Sequence, residues 1–284
     1  MPLIEATPDE LVLMWTQEEV RVICARPADL EDHPDLAMRV RGAFGRMLAL
    51  AGPPVGHRHD PFDRPPPFPA LFGTQDEDAT RPFTIDVDVL ADIVQVDLRL
   101  FGSAAFWVDQ CRDALLAALA GGISIKAGSR HRQPLQPLDC LMRRVCAELP
   151  PRSVGAVNLA CVTPVAVRAG HALLSAPPAL LYAAVTRARR LARWLDVKLV
   201  ADWTALRQAC EQAHVVQDRL LPYRAVRSSQ RQRDRRIPVS GLLGEFSVEG
   251  ALTPLAPFLM LAAQTHIGSH AALGMGRVRP ALYP

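Results

Sequence analysis

The sequence His266-Ile-Gly268-Ser-His270-Ala-Ala-Leu-Gly274-Met-Gly276-Arg277-Val-Arg279, named the glycine-rich loop below, places three glycines within nine positions. Glycine lets the backbone adopt positive φ and lets another group approach closely. Backbone amides exposed in this way form a concave anion site, to which flanking guanidinium groups add positive charge. The loop therefore predicts a phosphate-binding turn. A plain turn between two terminal strands is the alternative.

Three other stretches carry motifs that accompany this loop. A helix pattern contains Met38-Arg39-Val-Arg41-Gly42-Ala-Phe44-Gly45-Arg46-Met-Leu, a strand ends with Leu98-Arg-Leu-Phe101-Gly102-Ser-Ala104, and a later run is Gly241-Leu-Leu-Gly244-Glu-Phe-Ser-Val-Glu-Gly250. Together with the loop they resemble the CRISPR repeat-processing endoribonucleases, a family in the RAMP superfamily of RNA-binding ferredoxin-like proteins. The sequence departs from the family pattern at Ser269 and His270, where lysine and glycine are common.

The order of elements along the chain predicts an α+β fold with two tandem ferredoxin-like (RRM-like) domains, residues 1–150 and 151–284. The glycine-rich loop belongs to the second domain. In the first domain we expect strands at 10–26, 81–100 and 126–132, and helices at 34–51 and 107–120. In the second we expect strands at 158–167 and 241–250, and helices at 178–195, 202–221 and 255–263.

Composition indicates a globular chain of 284 residues, of which 49% are hydrophobic and 21% charged. The formal net charge is only +3, yet all of the basic residues except Lys126 and Lys198 are arginines. Arginine suits bidentate phosphate contact and base stacking, although genomic base composition can also favour it. The six cysteines form no Cys-x-x-Cys pair, so we expect reduced cysteines and no structural zinc. No secretory or membrane-spanning pattern is present, which predicts a cytoplasmic protein without a membrane partner.

Family resemblance implies an endoribonuclease that cuts CRISPR precursor RNA within the repeat, without a metal ion or other cofactor. The 2′-hydroxyl attacks the adjacent phosphorus and leaves a 2′,3′-cyclic phosphate, after which the enzyme retains the repeat hairpin. Its partners are then the repeat stem-loop and other CRISPR effector subunits. A non-catalytic RAMP subunit that binds guide RNA is the main alternative. A mononucleotide-binding protein is a weaker one, because the sequence lacks Gly-x-x-x-x-Gly-Lys-Ser/Thr.

For catalysis the first candidate is His33, which precedes the first helix near the position where relatives place a catalytic histidine. Histidine suits proton transfer because it titrates near neutrality. Some divergent relatives, including those of type IV systems, look as though they use arginines instead of a histidine, for charge stabilisation and positioning. The candidates here are then Arg26, Arg39 and Arg41. His57 and His59 lie in a proline-rich loop that could close on RNA. We assign His266 a structural role and His214 a place on a helix surface.

For RNA contact the best candidate is the segment 224–236, which has six arginines and one aspartate. Alternation of Arg231, Arg233 and Arg235 predicts that these three share one face of a strand. The expected RNA-contact residues come from this segment, from the basic strand and from the glycine-rich loop: Arg224, Arg227, Arg231, Arg233, Arg235, Arg236, Arg130, His131, Gly268, Ser269, His270, Gly274, Gly276 and Arg277.

Overall fold

The computed structural model describes residues 3–52, 65–73, 80–124, 131–170, 172–229 and 235–284, with the backbone alone for 226–229 and 235–237. Contacts divide the chain into an N-terminal unit, Gln17–Val145, and a C-terminal unit that combines Met1–Thr16 with Cys146–Pro284. The candidates His57, His59, Arg130, Arg231 and Arg233 lie outside the described residues.

The helices, in chain order, are α1 (Pro8–Met14), α2 (Leu36–Leu50), α3 (Pro67–Phe72), α4 (Val108–Ala120), α5 (Pro177–Ala192), α6 (Trp203–Glu211) and α7 (Ala256–Thr265). The strands are β1 (Ile4–Ala6), β2 (Thr16–Ala25), β3 (Phe83–Val89), β4 (Ile93–Phe101), β5 (Ile123–Ser124), β6 (Arg132–Gln133), β7 (Pro137–Cys146), β8 (Ala156–Val165), β9 (Val167–Ala169), β10 (Ala172–Leu174), β11 (Val197–Leu199), β12 (His214–Asp218), β13 (Leu221–Ser229), β14 (Arg235–Glu249) and β15 (Val278–Tyr283). None of the described helices combines the length and apolar character that a membrane crossing requires.

The N-terminal unit is ferredoxin-like. Its elements follow the order β2-α2-β3-β4-α4-β7, and its sheet has the strand order β3-β4-β2-β7. The expected strand 81–100 is a hairpin, β3 and β4, whose turn lies at Leu90–Asp92. The fourth strand of the sheet is β7. The described part of the expected basic strand at 126–132 overlaps the two-residue β6, which pairs with β5.

Alternate residues of β2 separate the two faces of this sheet, since successive side chains of a strand point to opposite sides. Val20, Val22 and Cys24 are buried in the apolar core. On the other face Glu19 and Arg21 form ion pairs with residues of β4. This second face is polar although several of its side chains are buried.

Arg99 of β4 is the centre of the polar face. Its guanidinium pairs with Glu19 at 2.9 Å, with Asp86, and with Asp97 at 3.7 Å. The three carboxylates are each about 2% exposed, so they are stabilised by arginines rather than by water. Burial alone would lower the pKa of Arg99, but the carboxylates together raise it above its ordinary value. The guanidinium of Arg99 therefore stays charged at neutral pH.

The C-terminal unit repeats the same topology. Its elements follow the order β8-α5-β12-β14-α7-β15. The sheet has the strand order β12-β14-β8-β15, and β13 pairs with β14 as a hairpin. The expected helix 202–221 ends at Glu211, and His214 begins β12 instead of lying on a helix surface. The expected strand pair 241–250 is the second half of the single long strand β14.

The first sixteen residues differ from expectation in two ways. Residues 8–14 form helix α1 rather than the start of a strand, because Thr7 and Glu10 make a capping box around Pro8. β1 pairs in parallel with β11, with Ile4 opposite Val197. The structure therefore assigns residues 1–16 to the C-terminal unit, whereas the sequence placed them in the first domain.

Candidate functional site

His33, Asp35 and Arg39 form a connected cluster at the start of α2 in the N-terminal unit. Nδ1 of His33 lies 2.7 Å from Oδ1 of Asp35. The same oxygen accepts hydrogen bonds from Nε of Arg39 at 3.0 Å and from its Nη2 at 2.5 Å. The His33 side chain is 34% exposed, whereas those of Asp35 and Arg39 are each 12% exposed. The cluster thus presents an accessible imidazole on a largely buried charged support.

The contact between His33 and Asp35 determines the tautomer of the imidazole. A separation of 2.7 Å between Nδ1 and a carboxylate oxygen is a hydrogen bond only if Nδ1 carries the proton. The backbone N–H of Asp35 also points at Nδ1, but at 3.3 Å, and it would require the other tautomer. The shorter, charge-assisted bond is the stronger one. Nε2 of His33 is therefore the nitrogen that can accept a proton, and it has no partner among the described residues.

Local folding fixes this arrangement. The N–H of Leu36 donates to the carbonyl of His33 at 2.9 Å, which closes the turn that starts α2. The N–H of Arg39 donates to the carbonyl of Asp35 at 3.1 Å, so the two side chains lie one helical turn apart on one face. Nη1 of Arg39 also donates to the carbonyl of Ser124 at 2.6 Å, which ties the helix to β5.

Two other catalytic candidates lie elsewhere in this unit. Arg26 donates to the carbonyl of Leu90 at 2.8 Å and to that of Leu30 at 3.4 Å, and it thereby closes the loop after β2. The guanidinium of Arg41 stacks on the ring of Phe72, 4.5 Å from its centroid. The structure therefore joins His33 to Arg39 and to neither of these arginines. Asp35, which links His33 to Arg39, was not among the site residues proposed from the sequence, although its spacing to both was visible.

The glycine-rich loop of the C-terminal unit follows α7 and packs tightly against the end of β8. Gly268 and Gly276 have φ of 82° and 77°, respectively. A Cβ on Gly268 would come within 2.5 Å of the carbonyl oxygen of Ala166, and one on Gly276 would overlap that of Ile267. These two glycines therefore serve close packing of the backbone.

The amides of the loop are largely engaged by backbone acceptors. The N–H of Ser269 donates to Ala166, and that of Gly276 donates to Pro164 at 2.9 Å. The N–H of Arg277 donates to Oγ1 of Thr163, also at 2.9 Å. Further amides of the loop with backbone acceptors are those of Ile267, Leu273, Gly274 and Met275. These groups are thus not available to phosphate, in contrast to the open cradle that the glycine content predicts.

Inside the loop, His266 is completely buried, and its Nδ1 lies 2.9 Å from the carbonyl oxygen of Met275. It adopts a positive φ of 61°, which is uncommon for a residue other than glycine. Nearby, the buried Arg187 of α5 donates from Nε to the carbonyl of Thr265, the last residue of α7, at 3.1 Å. Burial, and secondarily the guanidinium of Arg190, lowers the pKa of Arg187 to about 9.

The remaining loop candidates differ in exposure. Ser269 is exposed, His270 and Arg277 are half-buried, and Gly274 is buried. In the arginine segment, Arg224 is exposed on β13. Backbone pairing continues from there along the hairpin, where positions 227 and 236 lie in β13 and β14 and position 229 pairs with 235. His131 is exposed beside the short strand β6 of the N-terminal unit.

Among the described residues, no group of three or more His, Cys, Asp and Glu side chains is arranged to hold a metal ion. The free cysteines are mainly core residues of both units.

Comparison with known proteins begins with a family match. Residues 159–278, less than half of the chain, match the family described as CRISPR-associated endoribonuclease Cas6. None of the curated proteins compared with the sequence matches it.

Solved structures share the fold over nearly the entire chain. A Cas6 product complex from Thermus thermophilus is 16% identical with a TM-score of 0.58, and the alignment covers 94% of this chain and 99% of that one. A second Cas6 product complex is 13% identical with a TM-score of 0.57 and the same coverage. A structure described as a RAMP protein binding different RNA substrates is 12% identical with a TM-score of 0.51, and the alignment covers 95% of this chain and 100% of that one.

These structural likenesses establish the tandem ferredoxin-like fold. Over residues 159–278 the chain is similar to the CRISPR-associated endoribonuclease Cas6.

Proposed function

We propose that this protein cuts CRISPR precursor RNA within the repeat without using a metal ion. In this reaction a ribose 2′-hydroxyl loses its proton and attacks the adjacent phosphorus. The bond from phosphorus to the 5′-oxygen breaks, and that oxygen takes up a proton. The products are a 2′,3′-cyclic phosphate and a 5′-hydroxyl, and the repeat hairpin stays bound to the protein.

His33 is the residue that we propose for proton transfer. With Nδ1–H held by Asp35, Nε2 carries the lone pair that can accept the proton of the 2′-hydroxyl. After it has accepted that proton the imidazole becomes a cation, which the Asp35 carboxylate stabilises. A base that is oriented by a carboxylate on its far nitrogen is a recurring arrangement in acid–base catalysis.

Arg39 serves in this proposal as a positioning residue. Its hydrogen bonds to Asp35 and to the carbonyl of Ser124 use its guanidinium within the protein. A catalytic mechanism based on arginines alone is less well supported, because Arg26 and Arg41 also have structural contacts of their own. The single observation that supports the histidine most strongly is the 2.7 Å contact between His33 and Asp35 in a chain with the family match.

RNA contact is proposed for three parts of the chain. In the glycine-rich loop the exposed Ser269 and the half-buried His270 and Arg277 are the side chains that can reach phosphate. The β13–β14 hairpin brings Arg224 and the arginines beyond it. In the N-terminal unit, the exposed His131 and the neighbouring Arg130 of the sequence are further candidates for RNA contact. Stem-loop RNA suits such elements, because it is read mainly through its shape, its phosphates and its 2′-hydroxyls.

Other CRISPR subunits are further partners, since one structure with this fold is described as a partial complex of Cas6-RT-Cas1 with Cas2.

Incubation of the protein with labelled repeat RNA in EDTA tests the proposal. We expect one cut, with a 5′ fragment whose terminal phosphate a phosphatase removes only after acid has opened the 2′,3′-cyclic phosphate. Tight binding of the repeat without cleavage would instead indicate a non-catalytic RAMP subunit. Cleavage that EDTA abolishes and Mg²⁺ restores would contradict the metal-independent mechanism.

A further inference from the structure

Helices α5 and α6 of the C-terminal unit meet along a line of arginines stacked on aromatic rings. The guanidinium carbon of Arg189 lies 4.6 Å from the ring centroid of Trp203, and that of Arg207 lies 5.6 Å from the ring centroid of Tyr182. Each helix thus contributes one arginine and one aromatic residue, and the two stacks cross between the helices in opposite directions. We name these four residues, with Arg190 and Arg193, the α5–α6 seam.

The arginines of the seam are exposed and have no ion pair with a carboxylate among the described residues. Other arginines with accessible side chains do have such pairs: Arg112 with Asp109 and Asp113, and Arg144 with Glu18. Asp202, which borders the seam, uses its side chain to cap α6 through the N–H of Ala205. The seam therefore carries four positive charges that the described part of the protein does not neutralise.

Clustered like charges disfavour the folded state, and binding of an anionic ligand relieves this repulsion. Within α5, the pKa of Arg187 is lowered mainly by burial, and the nearby positive charge of Arg190 lowers it further. Four such charges on one surface fit an anionic partner. The partner's further chemistry follows from the stacking, because flat guanidinium and indole surfaces accept the flat faces of nucleobases.

Unpaired RNA combines the two properties. Bases of a single strand are free to stack on aromatic rings and on arginine planes, whereas bases within a duplex are stacked on one another. Each stacked base adds to the affinity, and phosphate contacts add a salt-dependent contribution. A surface for duplex RNA alone would not need aromatic rings beneath its arginines.

We propose that the α5–α6 seam binds a single-stranded RNA segment that flanks the repeat stem-loop. This inference rests on the proposed function, since it assumes that repeat RNA is the substrate. It adds a second RNA surface, separate from the glycine-rich loop and the β13–β14 hairpin, which determines how strongly the protein holds RNA beyond the hairpin.

The first experiment measures binding by fluorescence anisotropy for two RNAs, the stem-loop alone and the stem-loop with single-stranded flanks. The variant is R189Q/R207Q, and the matched control is R112Q/R144Q, which removes the same charge from the half-buried Arg112 and the exposed Arg144 of the other unit. For the flanked RNA we expect R189Q/R207Q to weaken binding about tenfold and to reduce the salt dependence, while the control changes affinity less than about twofold. The stem-loop alone should bind the variant and the wild-type protein equally well. Equal losses for both RNAs, or for both variants, would overturn the proposal.

The second experiment uses the wild-type protein, so it does not depend on how a variant folds. RNA carrying 5-iodouridine in its flank is photo-crosslinked, and the adducts are located by mass spectrometry. Crosslinks at Trp203 or Tyr182 support the proposal, and crosslinks confined to other elements contradict it. If the wild-type protein cuts repeat RNA but the seam yields no crosslink, only this inference fails. If it neither binds nor cuts repeat RNA, the proposed function fails as well.

Discussion

His33 and Asp35 are joined by a hydrogen bond of 2.7 Å from Nδ1 to Oδ1, two residues apart at the start of a helix. Arg39 in turn holds the carboxylate through the same oxygen. The protein therefore fixes both the position of Oδ1 and the orientation of the imidazole ring. A histidine oriented in this way loses little freedom when a substrate binds, which favours proton transfer through its other nitrogen.

Replacement of His33 by alanine tests the proton-transfer role directly. We expect single-turnover cleavage of repeat RNA to slow by about a hundredfold or more, because one acid–base group contributes on that scale. RNA affinity should change much less. His214→Ala is the control, since this histidine is exposed on β12. Wild-type rates in the His33 variant would transfer the proposal to the arginines.

Asp35→Asn tests whether the carboxylate acts through the histidine. We expect cleavage to slow by about tenfold or more, because the amide cannot stabilise the imidazolium as a carboxylate does. The double variant H33A/D35N should be no slower than H33A alone, since residues that act as a unit show non-additive effects. Multiplicative losses in the double variant would show that Asp35 acts independently of His33.

Gly276→Ala tests the packing of the glycine-rich loop. A side chain at this φ of 77° costs about 1–2 kcal/mol, and its overlap with the carbonyl of Ile267 adds to that cost. We expect a lower midpoint in urea unfolding and weaker RNA binding. Gly42→Ala is the control, because a Cβ at this position of α2 meets nothing within 4 Å and should stabilise the helix by up to about 1 kcal/mol. Equal stability of the two variants would refute the packing argument.

Arg99→Met tests the buried polar face of the N-terminal unit. Removal of Arg99 takes from the buried carboxylates of Glu19 and Asp86 the cation that they share, although Glu19 keeps its pair with Arg143, and this costs about 3–5 kcal/mol. Arg144→Met, which breaks an exposed pair with Glu18, should cost at most about 1 kcal/mol. Urea unfolding of both variants gives the comparison. A similar small loss for both would mean that solvent reaches the network.

Thiol labelling tests the burial of the cysteines. At pH 8 we expect rapid reaction of the exposed Cys146 and slower reaction of Cys140, whose pKa is raised by burial. The other four should react only after unfolding, because burial raises the pKa of Cys24 to about 11 and those of Cys111, Cys161 and Cys210 to about 12. Their thiols stay protonated at this pH, and the thiolate is the reactive form. Fast labelling of any of these four in the native protein would contradict the structure.

Much of the fold could be predicted from the sequence, because long periodic segments identify their own elements. The helix around Phe44 and the helix from Pro177 are examples, since their apolar residues recur at helical spacing. The strand β7 could not be predicted in this way. Its residues are mostly exposed on both faces, so Leu138, Leu141 and Met142 give no alternation of apolar and polar residues.

The candidate sites were predictable in part. Motifs pointed to the glycine-rich loop and to the helix that carries Arg39, but not to the use that the structure makes of them. Thr163 and Pro164 were predicted only as part of the strand 158–167, yet they accept the amides of Arg277 and Gly276. Such partners are distant in the sequence and are brought together only by the register of β8 and β15.

The parallel pairing of β1 with β11 affects the order in which parts of the chain can fold during translation. Residues 17–145 are contiguous and have all of their own strands once they have been synthesised, so this part can fold early. The leading residues, in contrast, pair with Val197–Leu199 and therefore wait until that strand has emerged. A truncated protein that starts near residue 150 would lack one strand of that pair and the helix α1, and expression of the second half alone should yield an incomplete, aggregation-prone product.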